Sequence, residues 1–166
     1  MGTIWVHAET NNGTVSTITL ELLAKARELG DVVAVHAGGD AEQVAAELGE
    51  HGAGKVLSTG DLDGGLPGPA LGSALADLAA SEAPQAILFG TTYGGRDVAG
   101  RLSAKLDAPV ITNIVDIVDS DGLVGIEPVF GGTTNVNTKF TGSRPGIFLV
   151  RPKSFNAEPT GGSPAE

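Results

Sequence analysis

Short apolar runs alternate with amphipathic stretches along most of the chain. The apolar runs are rich in β-branched residues and lie at Thr3–Ala8, Val32–His36, Lys55–Ser58 and Ala86–Phe89, and another begins at Val110. The stretches between them repeat apolar residues at helical spacing, as at Ile18, Leu22, Leu23, Ala26 and Leu29, then Val44 and Leu48, then Leu71, Leu75 and Leu78, and finally Val98, Leu102 and Leu106. This alternation predicts one parallel sheet with helices on both faces, a three-layer α/β/α sandwich.

Capping residues indicate where the helices begin and end. Ser16, or alternatively Thr14, fits the N-cap of the first helix, and Gly30 fits its end. Asp40 fits the N-cap of the second helix for the same reason. The last helix is expected to stop before Pro109, because proline disfavours a helical residue in front of it.

The pattern changes after Pro109. The residues that follow predict strands at Ile114–Val118, Leu123–Phe130 and Asn135–Thr141, and a last apolar strand at Gly146–Val150. A hairpin turn at Asp119–Gly122 joins the first two of these strands. Hairpins connect antiparallel strands, so we expect an antiparallel extension of the parallel core near the C-terminus.

The chain of 166 residues is long enough for one domain with a sizeable core. We expect residues 1–150 to form this α/β domain. Residues 151–166 hold few large apolar side chains and are rich in Pro, Gly and Ser. This composition predicts a tail or linker that is mobile from Asn156 onward.

A polar, glycine-rich bend follows the fourth apolar run, and a helix with one apolar stripe is expected from Arg96. Ligands of open parallel sheets bind outside the carboxyl ends of the strands, where helix N-termini present unpaired N–H groups. The candidate ligand-binding residues are therefore those of the bend and the helix start, Thr91, Thr92, Gly94, Gly95 and Arg96. The alternative is that the glycines only make a tight strand-to-helix turn.

Composition excludes several function classes. The formal net charge is −10, which disfavours binding to nucleic acid. There is no cysteine, so disulfides and thiolate metal sites are excluded. Aromatic residues make up 4% of the chain, too few for a flavin-stacking platform. No signal-peptide pattern and no membrane-length apolar run occurs, so we expect a cytoplasmic protein without membrane insertion.

No sequence motif for catalysis or metal binding stands out. The segment Gly49–Lys55 approaches a phosphate-binding P-loop, but Val56 replaces the required Ser or Thr, and the segment lies between a helix and a strand rather than the reverse. His7 and His36 end two strands that are expected to be neighbours, and with His51 they lack metal-ligand spacing. Polar cover of the strand ends is the simpler interpretation of His7 and His36, and no catalytic group is assigned.

Several short segments, in their order along the chain, resemble one family. They are Gly52–Val56, Ile87–Gly90, Gly95-Arg96-Asp97, Pro128–Gly132 and the Thr141-Gly142 pair followed by Arg144-Pro145. Together they resemble the N-terminal domain of electron transfer flavoprotein (ETF) alpha subunits, from Thr3 to about Phe155. Thr133 stands where that family often has Asn. The second, FAD-binding domain of the family has no counterpart here, and residues 151–166 resemble the start of the link to it.

The resemblance implies a Rossmann-like fold of the adenine nucleotide alpha hydrolase-like type. It implies a scaffold and beta-subunit contact in a heterodimeric electron carrier between flavoprotein dehydrogenases, as in fatty acid beta-oxidation, and a quinone reductase or similar acceptor. It implies no bond chemistry on this chain, FAD only in the full complex and AMP on the beta subunit. The partner-contact candidates are Phe130, Gly131, Gly132 and Arg144.

One competing hypothesis is a stand-alone nucleotide-binding module that resembles universal stress proteins. In that case the segment from Thr91 to Arg96 would cradle phosphate, and the chain would bind ATP or AMP without a partner. An enzyme in its own right would need a nucleophile or base constellation, which the sequence does not offer. The purified chain is expected to be colourless, because it lacks a dinucleotide fingerprint and Arg96 alone provides little charge for a diphosphate.

Overall fold

A computed structural model describes residues 2–142 and 145–166 of the chain. The helices are α1 (Thr17–Leu29), α2 (Ala41–Glu50), α3 (Pro67–Glu82) and α4 (Tyr93–Leu106). The strands are β1 (Gly2–Ala8), β2 (Thr10–Asn11), β3 (Thr14–Val15), β4 (Gly30–His36), β5 (Lys55–Ser58), β6 (Ala86–Gly90), β7 (Val110–Ile114), β8 (Asp116–Asp119), β9 (Leu123–Val129), β10 (Thr134–Lys139) and β11 (Gly146–Val150).

The central sheet has six strands in the order β5-β4-β1-β6-β11-β7, and all neighbours pair in parallel. The predicted parallel core is confirmed. The grouping of the last strand with the antiparallel extension is wrong, because β11 lies between β6 and β7. Its five residues are all buried, as expected for a strand covered on both faces. The sequence pattern follows chain order and does not report the order of strands in a sheet.

Helices cover both faces of this sheet, which confirms the three-layer sandwich. Side chains alternate along each strand, so Ile4 and Val6 belong to one core and Trp5 to the other. The first core also contains the apolar stripes of α1 and α2, and the second contains those of α3 and α4. The candidate strand-end residues are therefore held by a rigid frame.

Strands β8, β9 and β10 form a separate antiparallel sheet, and this part of the predicted extension is confirmed. Lys25 of α1 holds it with an ion pair to Asp116 at 3.0 Å. All six residues of β10 are exposed, whereas the alternating pattern predicts a half-buried strand. The reason is position: β10 is an edge strand that pairs with β9 along one side only. Val136 is 42% exposed in consequence.

The structure confirms one predicted N-cap and revises the two other helix starts. The Ser16 side chain accepts a hydrogen bond from the Thr19 amide, and Gly30 caps the other end of α1. Asp40 stands at the N-cap of α2, but its carboxylate does not bond the helix. Helix α4 begins at Tyr93 rather than Arg96 because Thr92 caps it. Part of the predicted bend is thus the first turn of this helix.

Residues 151–166 contain no helix or strand, yet they pack on the domain. The Thr160 amide donates to the Glu50 carbonyl oxygen at 2.7 Å, and the Ala165 amide donates to that of Ala45 at 3.0 Å. The expectation that this segment buries little is wrong, since Phe155 and Ala165 pack against the core. Backbone groups make much of the contact, and an apolar pattern does not report them. Its proposed role as a linker, and the boundary at residue 150, stay predictions.

Candidate functional site

A cleft of about 610 Å³ opens at the carboxyl ends of β1 and β4, above the starts of α1, α3 and α4. The connections from β1 run to β4 on one side, while β6 lies on the other side of β1. Parallel sheets bind ligands at such a reversal of strand order. We call it the strand-end cleft, and its lining includes His7, Glu9, His36, Leu66, Thr92 and Tyr93.

The five predicted binding residues separate into two groups. Thr92 and Gly94 line the strand-end cleft, whereas Thr91, Gly95 and Arg96 are outside its lining. The Thr91 amide donates to the Val150 carbonyl oxygen at 2.9 Å, which places Thr91 in the sheet connection. Gly95 is buried, and a Cβ there would overlap the Gly90 carbonyl oxygen. The close turn therefore accounts for Gly95, as the structural alternative predicted.

A carboxylate already occupies the start of α4. The Thr92 hydroxyl donates to Glu9 Oε1 at 2.6 Å and accepts from the Gly95 amide at 2.8 Å. A Cβ on Gly94 would lie 2.7 Å from the same Glu9 oxygen. The positive end of the helix dipole thus faces Glu9, and a phosphate placed there would meet a like charge. Ligand binding by the loop stays a prediction, and phosphate is not the ligand that this geometry favours.

His7 is a buried histidine with an unsatisfied nitrogen. Its side chain is 5% exposed, and its Nδ1 has no hydrogen-bond partner among the described residues. The nearest carboxylate oxygen, Oε1 of Glu9, is 3.7 Å away. Burial, followed by the charge of His36, lowers the pKa of His7 to about 4. The imidazole is therefore neutral near pH 7, and its orphaned nitrogen costs about 1–3 kcal/mol.

His36 is held between two acceptors. Its Nδ1 lies 2.9 Å from the Ala8 carbonyl oxygen and its Nε2 lies 2.7 Å from Asp40 Oδ1. A carbonyl and an ionised carboxylate only accept, so both ring nitrogens carry protons and His36 is an imidazolium. The hydrogen bond from His36 lowers the pKa of Asp40. This demand explains why the Asp40 carboxylate does not cap α2.

The sequence singled out His7 and His36 and missed their partners. The two histidines do end neighbouring strands, since Ala8 of β1 pairs with His36 of β4. Glu9 was not identified, although its place directly after β1 is the signal that would have found it. His51 stands apart from the cleft lining and bonds the Glu47 carbonyl oxygen through Nδ1 at 2.9 Å. Within the part of the chain that the structure covers, no cluster of acidic or histidine side chains is suited to a metal ion.

The predicted partner-contact residues lie at the turn from β9 to β10. Phe130 is 84% exposed and has a left-handed backbone with φ of 50°. Gly131 and Gly132 follow with φ of 68° and 88°. A bulky residue in this conformation is strained, and such strain is typical of functional positions. Arg144 lies outside the described residues.

In residues 2–142 and 145–166, none of the helices combines the length and apolar character that crossing a bilayer requires.

Comparison with known proteins gives a consistent result. The family model of the electron transfer flavoprotein domain matches residues 4–166. The ETF alpha subunit of Mycobacterium tuberculosis (strain CDC 1551 / Oshkosh) is 34% identical over 98% of this chain and 51% of that protein. That of Clostridium acetobutylicum is 28% identical over 94% of this chain and 49% of that protein. Protein FixB of Rhizobium meliloti is 30% identical over 90% of this chain and 46% of that protein.

The chain thus spans about half the length of the curated relatives it matches. The matches run through the parallel core and the antiparallel sheet, and the motifs that carry the resemblance lie within the matched residues. This chain belongs to the electron transfer flavoprotein family and matches the N-terminal domain of its alpha subunit.

Proposed function

We propose that this chain is the scaffold and beta-subunit contact of a heterodimeric, FAD-containing electron carrier. The carrier would take electrons from flavoprotein dehydrogenases, including those of fatty acid beta-oxidation, and pass them to a quinone reductase or similar acceptor. The names of the matched relatives support the electron-transfer role. The proposal includes a cytoplasmic location and residues 151–166 as the link to an FAD domain.

The observation that carries the proposal is the surface formed by Phe130, Gly131, Gly132 and β10. Phe130 exposes a large apolar ring at a strained turn. The strand that follows is exposed along its whole length and pairs on one side only. Edge strands of this kind are templates for another chain, and exposed apolar side chains mark interaction sites. We call this surface the β10 surface.

The residues of the strand-end cleft do not fit a flavin dinucleotide. A diphosphate needs positive groups or unoccupied helix N-termini, whereas Glu9 is bonded at the start of α4. His36 is positively charged but is neutralised by Asp40. We therefore assign the FAD to the assembled complex, where it supplies the redox chemistry, and AMP to the beta subunit.

Copurification of this chain with a separately produced beta subunit tests the proposal. The unchanged chain should retain the beta subunit, and Phe130→Ser should weaken the complex by about tenfold, as expected for loss of a buried aromatic anchor. Leu66→Ser is the matched control, because Leu66 is also exposed, at 73%, but lies on the strand-end cleft. Failure of the unchanged chain to bind, or equal weakening by both variants, would contradict the proposal.

The stand-alone nucleotide-binding module remains the second hypothesis for this fold. The size and position of the strand-end cleft favour it, whereas the Glu9 carboxylate disfavours the phosphates of ATP or AMP. Tight binding of ATP by the isolated chain would support that module.

A further inference from the structure

The strand-end cleft has the size and the position of a ligand site, and the scaffold role does not use it. Its volume of about 610 Å³ is within the range of small-molecule sites. Packing alone does not account for His7, which is 95% buried by its 5% exposure and has an orphaned Nδ1 in its imidazole ring. Native structures rarely leave such a group unpaired without a functional reason.

The charges of the cleft select the kind of ligand. Glu9 lies at the start of α4, and Asp97 lies against Gly68 at the start of α3. The positive charge of His36 is balanced by Asp40 at 2.7 Å. A phosphate or carboxylate ligand would therefore approach carboxylates without an uncompensated cation among the described lining residues. Ligand groups that donate hydrogen bonds, such as hydroxyls and amines, are favoured instead.

The rim of the cleft offers apolar surface. Leu66, directly before α3, is 73% exposed, and Tyr93, the first residue of α4, is 94% exposed. Large side chains of these types are usually buried, and an aromatic ring such as that of Tyr93 stacks well on a flat heterocycle. The rim therefore complements a planar apolar group, and the interior complements hydroxyl donors.

We propose that the strand-end cleft binds an uncharged nucleoside-type molecule, whose sugar hydroxyls donate to Glu9 and whose flat base packs against Leu66 and Tyr93. The Thr92 hydroxyl donates to Glu9 Oε1, which leaves Oε2 as the acceptor for the ligand. A shift of Glu9 toward its ligand also changes the surroundings of the neighbouring His7, now 3.7 Å away. This site is distinct from the β10 surface, so either proposal can fail alone.

Adenosine and AMP are the matched probes, because they differ only by the phosphate. The full chain labelled with ¹⁵N is titrated with each, and the imidazole nitrogens of His7 and the amide of Gly94 are followed by NMR. Adenosine should shift both signals and bind at least about tenfold more tightly than AMP, which corresponds to one like-charge contact. AMP binding as tight as that of adenosine, or no shift at millimolar adenosine, would overturn the proposal.

Two variants assign the binding to the named residues. Glu9→Gln should lower adenosine affinity and reduce the preference over AMP, whereas Glu82→Gln, the same change at an exposed site near the end of α3, should alter neither. Tyr93→Ala should weaken adenosine binding by about tenfold without unfolding the chain, because the ring is almost fully exposed. Unchanged affinity in both Glu9→Gln and Tyr93→Ala would place adenosine elsewhere and refute the site.

Discussion

Thr92 donates its hydroxyl hydrogen to the carboxylate of Glu9 at 2.6 Å, across 83 positions of sequence. The same hydroxyl accepts from the Gly95 amide, so one side chain caps α4 and joins it to the end of β1. The bond fixes the negative charge of Glu9 at the positive end of a helix. It therefore connects the stability of the domain with the electrostatics of its cleft.

Replacement of Thr92 by Val removes both bonds while it keeps the volume of the side chain. We expect a loss of about 1–2 kcal/mol in the free energy of unfolding, as for other lost N-caps. Urea denaturation measures it. Thr59→Val is the control, because the Thr59 hydroxyl bonds only the adjacent Gly60 carbonyl oxygen and should change stability by less than about 0.5 kcal/mol. Equal losses in the two variants would show that Thr92 has no special role.

Two glycines of α4 should respond oppositely to alanine. A Cβ on Gly95 would overlap the backbone carbonyl oxygen of Gly90, so Gly95→Ala should destabilise the domain by more than about 2 kcal/mol. No atom lies within 4 Å of the Cβ position at Gly100, so Gly100→Ala should stabilise by about 0.5–1 kcal/mol through helix propensity. Thermal and urea unfolding of the pair test this. A tolerated Gly95→Ala would contradict the close approach.

Acidification should destabilise the domain through His7. The pKa of His7 is about 4 in the folded state against an ordinary 6.5, so the unfolded chain binds the proton first as the pH falls. The contribution is complete above pH 6.5 and is lost between pH 6.5 and about 4, with a size of about 3 kcal/mol. Urea unfolding across this window measures the loss.

His7→Leu should remove this part of the pH dependence, because leucine does not titrate. His51→Gln is the control and should keep it, since the His51 ring already bonds the Glu47 carbonyl oxygen and lies outside the cleft lining. Parallel pH profiles for His7→Leu and the unchanged chain would refute the role of His7.

Removal of residues 160–166 should uncover the edge of β5. The Val56 amide donates to the Glu166 carbonyl oxygen at 2.7 Å, and the Glu166 amide donates to that of Gly54 at 3.2 Å. We expect amide exchange at Val56 to accelerate by at least about tenfold, since a solvated edge amide loses its protection. Ile87, in the middle of the sheet, should exchange as slowly as before. Unchanged exchange at Val56 would show that the C-terminal residues do not pair in solution.

Phe130 should oppose stability and binding. Its φ of 50° costs about 1 kcal/mol for a non-glycine residue, so Phe130→Gly should raise or maintain stability while it weakens the complex with the beta subunit. Unfolding and copurification measure the two effects separately. Phe155→Gly is the contrasting change, because Phe155 packs against the core and should lower stability. A destabilised Phe130→Gly with normal binding would contradict a contact role.

The sequence predicts most of the fold because the local patterns and the tertiary structure agree. Uniformly apolar strands such as Ala86–Phe89 require cover on both faces, and the spacing of Val98 and Leu102 has one helical solution. The sheet position of Gly146–Val150 was not predictable this way, since hydrophobicity reports burial but not neighbours.

The site was harder to predict because its important contacts are distant in sequence. The glycine pair at the start of α4 indicated a close approach, but only the fold shows that Glu9 makes it. The carboxylate of Asp40 fits an N-cap equally well until His36 is placed beside it. Long-range polar contacts of this kind leave no periodic signal.

The position of β11 between β6 and β7 determines when the domain can fold. Strand β7 has no partner in the central sheet other than β11, which comes last of all the strands along the chain. During synthesis, the edge of β6 and the apolar side chains of β7 therefore wait for residues 146–150 to leave the ribosome. Such late, non-local pairing slows folding and exposes unpaired strand edges to other chains, so the nascent domain depends on chaperones until its last strand arrives.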